Sequence, residues 1–312
     1  MSTEVRLNTR PGAVDDLLRT AISRLTERDR YVLRLLDDHR VLTTAQVRDL
    51  GFASIRRAQD RLDQLHAMRL VDRFRPLRAT GSAPYHWVLD WPGAAVVFAE
   101  REPDAELSAM TWRKPRALAI ARSQHLEHHV GANGFFTALI RTTCEWRAAR
   151  PKDGLLWWWS ARRCDREFAT DWKGAPAHPD GACLWREGGE SVVALVEWDC
   201  GTETLSRLAD KLPGYGKLLA AEDVPGAAPL WVLFRFPSPR REAEARRALE
   251  KPARQHGVRV ATAVLAPGES PAEAIWLPVV EASRRRLRLA ELAWLTRDRG
   301  RRTGAVDPGA AA

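Results

Sequence analysis

The stretch from His178 to Thr204 reads H-P-D-G-A-C-L-W-R-E-G-G-E-S-V-V-A-L-V-E-W-D-C-G-T-E-T. Two strand-like runs flank Gly188-Gly189, and a two-residue Gly-Gly link between such runs is a hairpin signal. Pairing Glu187 with Glu190 across that turn and counting outward sets Asp180 opposite Glu197. Asp199 lies two residues beyond Glu197 and projects from the same face. One register therefore gathers three carboxylates at the open end of a hairpin. Like charges that close need a compensating cation. Mg2+ or Mn2+ suits oxygen-only ligands, so Asp180, Glu197 and Asp199 are the candidate metal ligands.

Outward from the hairpin, Leu155–Ser160 is a strand candidate in front of it. A helix follows from about Thr202 to Leu219, with Thr202 as N-cap and Pro213-Gly214 placed to kink or split it. Leu230–Phe234 is a continuous apolar run, as in a strand buried on both faces. Arg240–His256 reads as an amphipathic helix, Val258–Leu265 as another strand, and Ala274–Leu277 as a short last one. A long helical pattern, 116–147, precedes all of these. The order helix, three strands, helix, strand, helix, strand is that of a mixed three-layer α/β domain, with bounds 116–283. On its first helix His125, His129 and Asn133 fall at i, i+4, i+8. The string H-L-E-H-H does not fit H-E-x-x-H and offers no third zinc ligand. The stripe is either packed and hydrogen-bonded or part of an active-site helix, with Glu127 as an added acid near the hairpin.

The N-terminal part has a different pattern. Residues 1–14 are a polar arm, and a helical pattern runs from about Asp15 to Leu25. Thr26 and Asp29 mark a helix start, followed by Tyr31, Val32, Leu35 and Leu36 at helical spacing. Thr43 caps a short second helix that ends at Gly51. Ser54 caps a third, with Ile55, Ala58, Leu62, Leu65 and Met68 on one face. Leu70–Phe74 and Tyr85–Leu89 are strands joined by a loop containing Pro76, Gly81 and Pro84. Helix, short helix, helix and strand–loop–strand is the winged helix-turn-helix layout, here with bounds 15–100. Its third helix presents Arg56, Arg57, Gln59, Asp60 and Arg61, and the loop region presents Arg73, Arg75 and Arg78. From Ser54 to Arg78 there are seven Arg against three Asp. Helix residues on base edges and a basic wing on phosphates are how such modules dock on double-stranded DNA. Residues 101–115 read as a linker.

The chain of 312 residues carries a formal net charge of +9. That balance favours a polyanionic partner, although only six of its cations are Lys and the Arg excess also fits a GC-rich genome. Thirteen Trp are present, and Trp157-Trp158-Trp159 reads as core and sheet-edge packing. No apolar run reaches membrane-span length, and the N-terminus has no apolar signal region. Cys144, Cys164, Cys183 and Cys200 lack C-x-x-C spacing and read as reduced thiols of a cytoplasmic protein. From Arg284 to Arg302 eight Arg face two acids. Residues 284–312 thus read as a basic helix and tail, either an arm on phosphates or a solvated end. Internal repeats, a P-loop and a dinucleotide fingerprint are absent from the sequence.

Pro179-Asp180 and Glu197-Trp198-Asp199 make the second domain resemble the PD-(D/E)XK nuclease-like, restriction-endonuclease-like fold. Together with the N-terminal module, the H-x-x-x-H-x-x-x-N helix and the P-D-G…E-W-D-x-G-T-E string also resemble the actinobacterial replication-relaxation family, from about Thr26 to Leu277. That family is linked to plasmid replication and mobilisation. The resemblance implies Mg2+-dependent phosphodiester chemistry with Asp180, Glu197 and Asp199 as ligands. The lysine of (D/E)-x-K is replaced by Asp199, and Lys211 on the following helix, with Lys217 behind it, is the candidate substitute. Two functions stay open. One is a metal-dependent DNA endonuclease or nickase. The other is a non-catalytic DNA-binding accessory of plasmid replication, mobilisation or transcription, with a degenerate nuclease fold.

Overall fold

The computed structural model describes residues 22–77, 80–169, 177–220, 228–281, 283 and 285–295. The chain divides into two compact units, Met1–Arg48 with Phe52–Leu126, and Asp49–Gly51 with Glu127–Ala312.

In the first unit, helix α1 (Glu27–His39) starts at a capping box: the Thr26 hydroxyl accepts from the Asp29 amide, and the Asp29 carboxylate accepts from the Thr26 amide. Both reciprocal bonds satisfy donors that a helix start otherwise leaves open. Strand β1 (Leu42–Thr43) leads into α2 (Thr44–Asp49), and α3 (Ile55–Ala67) begins at Ser54, whose hydroxyl accepts from the Arg57 amide at 3.2 Å. Strands β2 (Val71–Phe74) and β3 (His86–Leu89) complete an antiparallel sheet in the order β1-β3-β2. Helix α4 (Trp91–Arg101) packs against α1, and α5 (Lys114–Leu118) follows. Gly93 is fixed by contact, since a Cβ there would stand 2.0 Å from the Leu70 carbonyl oxygen. Residues 101–115, read as a linker, lie within this unit, and Lys114 Nζ reaches Asp72 at 2.8 Å and Asp90 at 3.1 Å. The helix expected over 15–25 lies mostly outside the described residues.

The second unit starts with α6 (Leu126–Trp146), then β4 (Gly154–Ser160), α7 (Ala161–Ala169), β5 (Gly181–Glu187) and β6 (Glu190–Trp198). Helices α8 (Leu205–Asp210) and α9 (Leu212–Ala220), strand β7 (Leu230–Phe236), helix α10 (Pro239–Gln255), β8 (Val260–Val264) and β9 (Leu277–Pro278) follow. The sheet order is β4-β5-β6-β7-β8-β9. The β4–β5, β5–β6 and β8–β9 pairs are antiparallel, and β6–β7 and β7–β8 are parallel. Alternation along β6 splits the core. Val192, Ala194 and Val196 meet Phe135, Phe136 and Leu139 of α6 on one face, and Val193 and Leu195 meet Leu208, Leu212 and Tyr215 on the other. Burial on both faces explains why V-V-A-L-V is unbroken by polar residues. The fold is therefore a mixed α/β arrangement with helices on both sides of a six-stranded sheet.

Several expectations are corrected. The 116–147 pattern is two helices, broken at Ser123 between a short turn and α6. Helix α7 has no counterpart in the sequence reading. The helix expected over 202–219 starts at Thr204, which caps α8, and divides at Lys211 instead of at Pro213. Pro213 sits in the first turn of α9, where its missing N–H costs nothing. The start of the basic C-terminal segment is not an arm. Leu287, Leu289, Ala290, Leu292 and Ala293 enter the core. Arg285 pairs with Glu291, Arg286 with Glu242, and Arg288 with Glu187 and Glu273. Arg284 and residues 296–312 lie outside the described residues.

Candidate active site

The hairpin register is the one counted from the turn. Glu187 faces Glu190, Gly181 faces Val196, and the Asp180 amide donates to the Val196 carbonyl at 2.8 Å. Gly188 and Gly189 both have positive φ, 59° and 84°, as the tight two-residue turn requires. Asp180 and Glu197 therefore meet at the open end of the hairpin. The Trp198 amide donates to Asp180 Oδ2 at 2.8 Å, which ties the two strand ends together.

Glu197 is 3% exposed and points to the α9 side. Lys211 Nζ donates to its Oε2 at 2.8 Å, and the buried Tyr215 hydroxyl donates to Oε1. Burial, reinforced by the charge of Asp180, raises the Glu197 carboxyl to about 7 despite Lys211 and Tyr215. Lys211 also meets Glu203 at 3.0 Å. Burial alone would weaken its hold on a proton, but Glu197 and Glu203 reverse that and keep it well above the usual lysine value. The break between α8 and α9 at this residue is what aims the ammonium at the strand end.

The other neighbour of Asp180 is a residue missed in the sequence. His128 Nε2 lies 3.0 Å from Asp180 Oδ2. The hydrogen bond to Asp180 pushes the imidazole up from 6.5, and the charges of Asp180 and Glu197 add to it against burial and Lys211. Of the two readings of the stripe, the packed one fits His129 and Asn133. His125 precedes the helix and is exposed, Glu127 is exposed, His129 is half-buried and Asn133 is buried. The face of α6 that meets the hairpin end runs instead through His128 and Gly131, where a Cβ would stand 2.3 Å from the Trp198 indole.

Asp199 also departs from expectation. Its side chain is buried and carries Arg241, whose Nε donates to Oδ2 at 2.8 Å, while the Gly201 amide donates to Oδ1 at 3.0 Å. It is an internal ion pair with α10, where the metal-ligand reading needs open carboxylate oxygens. Lys217 is exposed on α9. Among the described residues no group of three His, Cys, Asp or Glu side chains is arranged to hold a metal. In residue type Asp180 and Glu197 still suit a hard cation, because Mg2+ commonly takes one or two carboxylates and fills its shell with water and phosphate oxygens, but Glu197 would have to exchange Lys211 or Tyr215 for the ion.

The residues read as facing DNA fare unequally. Arg56 and Arg57 are exposed at the start of α3. Arg61 is not available, since Nε donates to Oδ1 of the buried Asp29 at 2.8 Å and Nη2 to Oδ2. The amide of Gln59 is held by Thr44 and Asp63. Arg73 pairs with Asp63, and the guanidinium groups of Arg73 and Arg75 lie 4.3 and 3.8 Å from the Tyr85 ring centre. Arg78 lies outside the described residues. No described helix is long and apolar enough to cross a membrane.

Comparisons with known proteins place the chain. Among solved structures, it is similar to the restriction endonuclease FokI at 12% identity and TM-score 0.28, covering 81% of this chain and 42% of that one. It is also similar to FokI bound to DNA, at 11% identity and TM-score 0.24, covering 84% of this chain and 44% of that one. The chain thus spans less than half the length of either. No curated protein matches it. The sequence profile of the replication-relaxation family matches residues 33–229, which run from within α1 through the hairpin and its acids to Lys211 and α9. With more than half of its length matched, the chain belongs to the replication-relaxation family.

Proposed function

We propose that this protein binds double-stranded DNA through its first unit, acting as a winged helix, and hydrolyses a phosphodiester at the Asp180–Glu197–Lys211 cluster of a nuclease-like second unit. The observation that carries the reading is Glu197: a buried carboxylate raised to about 7, beside a second carboxylate and 2.8 Å from a lysine. Such clustering costs stability and is typical of sites that hold charge for chemistry. In the reaction, water adds to phosphorus, the P–O bond to the leaving oxygen breaks, and that oxygen takes up a proton. Asp180 and Glu197 would hold Mg2+ or Mn2+, which when bound lowers the pKa of a coordinated water and screens the phosphate. Lys211, kept protonated by Glu197 and Glu203, supplies a fixed positive charge for the developing oxyanion. Arg56 and Arg57 are the base-edge or phosphate contacts of α3, and Arg73 and Arg75 those of the wing. The family description supports a role in replication or relaxation of DNA; plasmid replication and mobilisation proteins as partners, and the cytoplasm as the place, are part of the proposal alone.

A second reading is favoured by the contacts of the same acids. Lys211 and Tyr215 occupy both oxygens of Glu197 and Arg241 occupies Asp199, as in a DNA-binding accessory without hydrolysis. Plasmid nicking with Mg2+ or Mn2+ separates the two. Wild-type protein is expected to relax supercoiled plasmid, and Asp180→Ala and Glu197→Gln are expected to abolish it. Equal nicking by all three, or none by the wild type, removes the hydrolysis. Duplex binding by Arg56→Glu/Arg57→Glu tests docking separately: it is expected to fall, with a shallower salt dependence, and unchanged affinity removes the winged-helix proposal.

A further inference from the structure

Parallel pairing of β6 with β7 sets Arg235 beside Trp198, the residue that follows Glu197. Alternation puts both on the α6 side of the sheet, opposite to Glu197. The Arg235 guanidinium lies 4.1 Å from the Trp198 ring centre. Trp198 is itself wedged on α6, where Gly131 leaves no room for even a methyl group. The arginine therefore rests on an indole held close against α6. It is half-buried, and its Nε is fully buried without a hydrogen-bond partner. Among the described residues its side chain makes no salt bridge and no hydrogen bond.

The acid best placed to pair with it is engaged elsewhere. Asp199 donates its amide to the Arg235 carbonyl at 3.0 Å, yet its carboxylate is taken by Arg241 and the Gly201 amide. Burial accordingly loosens the proton on Arg235, with Cys200 and Asp199 compensating only in part. A half-buried arginine without a carboxylate partner costs free energy unless an anion offsets its charge, and with Nε buried that anion would meet the Nη edge. Its planar fork matches a phosphate in particular.

We propose that Arg235, stacked on Trp198, is a phosphate-binding subsite that holds a DNA-strand phosphate next to the Asp180–Glu197 cluster. Placement at that cluster rests on the function proposed above; binding of phosphate by Arg235 does not. Arginine on one face of the strand end and carboxylates on the other would seat an anionic strand that the acids alone repel.

The test is a thermal-shift titration of the full chain with inorganic phosphate against chloride at equal ionic strength. Phosphate is expected to raise the wild-type Tm by ligand linkage and to leave Arg235→Gln unmoved. A wild type that does not respond, or a variant that responds equally, overturns the proposal. If Arg235→Gln does not fold, Arg235→Lys decides, because it keeps the charge and loses the fork; it is expected to bind phosphate about tenfold more weakly or worse. Short-duplex binding in Ca2+ identifies the source of the phosphate. About a tenfold loss in the variant assigns the subsite to DNA, and an unchanged duplex affinity with a lost phosphate shift refutes that assignment. A wild type that never nicks plasmid but keeps the Arg235-dependent shift removes the hydrolysis and not the subsite.

Discussion

Replacing Arg241 with Met tests whether Asp199 is an internal ion pair or a ligand. The Asp199 side chain is 1% exposed and that of Arg241 17%, with Nε 2.8 Å from Oδ2. Truncating one member of such a pair leaves a charge stranded in the interior, at a cost of about 3–5 kcal/mol. The Gly201 amide still holds Oδ1, which favours the lower end, about 3 kcal/mol. Loss of the bond from Arg241 Nη2 to the Glu203 carbonyl adds about 1 kcal/mol. Urea unfolding followed by circular dichroism should therefore show Arg241→Met some 3–4 kcal/mol below wild type, by about the sum of those terms. Asp199→Asn/Arg241→Met should recover much of the loss, because the stranded charge is gone, and the cycle should show a coupling energy of about 2 kcal/mol. A loss under about 1 kcal/mol, or strict additivity in the double variant, refutes the ion-pair reasoning. If Asp199 is instead a ligand held back by Arg241, the single variant should bind Mn2+ more tightly, and calorimetry would show it.

Stability should also fall as pH rises through neutrality. The carboxyl of Glu197 is raised from 4.5 to about 7, and His128 is raised above 6.5, so both bind protons better in the folded state. Their contribution is complete below the unfolded values and is lost upward through the folded ones. Glu197→Gln should flatten the decline between pH 5 and 8 by ~3 kcal/mol, read from urea midpoints. Arg61→Ala should cost about 3 kcal/mol through the buried Asp29. Burial alone would raise that carboxyl, but Arg61 and Thr26 hold it below 3.8. Wild-type stability from this pair is present above 3.8 and lost as pH falls through the folded value, and the variant should lack that acid-side loss. Gly131→Ala must displace the Trp198 indole from 2.3 Å. Its overpacking cost of about 1–3 kcal/mol exceeds the gain of about 1 kcal/mol in helix propensity, so its Tm should fall; a rise would mean the wedge is loose.

The parts of this structure written in local pattern were legible, and those written between distant residues were not. Gly188-Gly189 set a register that carried Asp180 to Glu197, because strand pairing propagates from a tight turn without further information. Lys211 was found from its charge near the acids. His128 was missed because which face of a helix meets a distant strand end is set by tertiary packing, and α6 starts at Leu126, which leaves His125 outside it. Helix α7 was missed because A-R-R-C-D-R-E-F-A is short and mostly charged, and its inner face is marked by little more than Cys164 and Phe168 at i, i+4. Arg61 was misjudged for want of its partner Asp29, and Asp199 for want of Arg241. Each lies on a separate element, and neither pairing leaves a mark in spacing.

The hairpin also limits how its relatives can vary in length. Opposite residues from Glu187–Glu190 to Gly181–Val196 run without a bulge. One residue inserted in either arm would turn every side chain beyond it to the other face and separate the acids. Insertions and deletions between Asp180 and Glu197 must then come as matched pairs, one in each strand, around an unaltered two-residue turn. In family members that keep both acids facing each other, the number of residues between them should stay even, whatever its size.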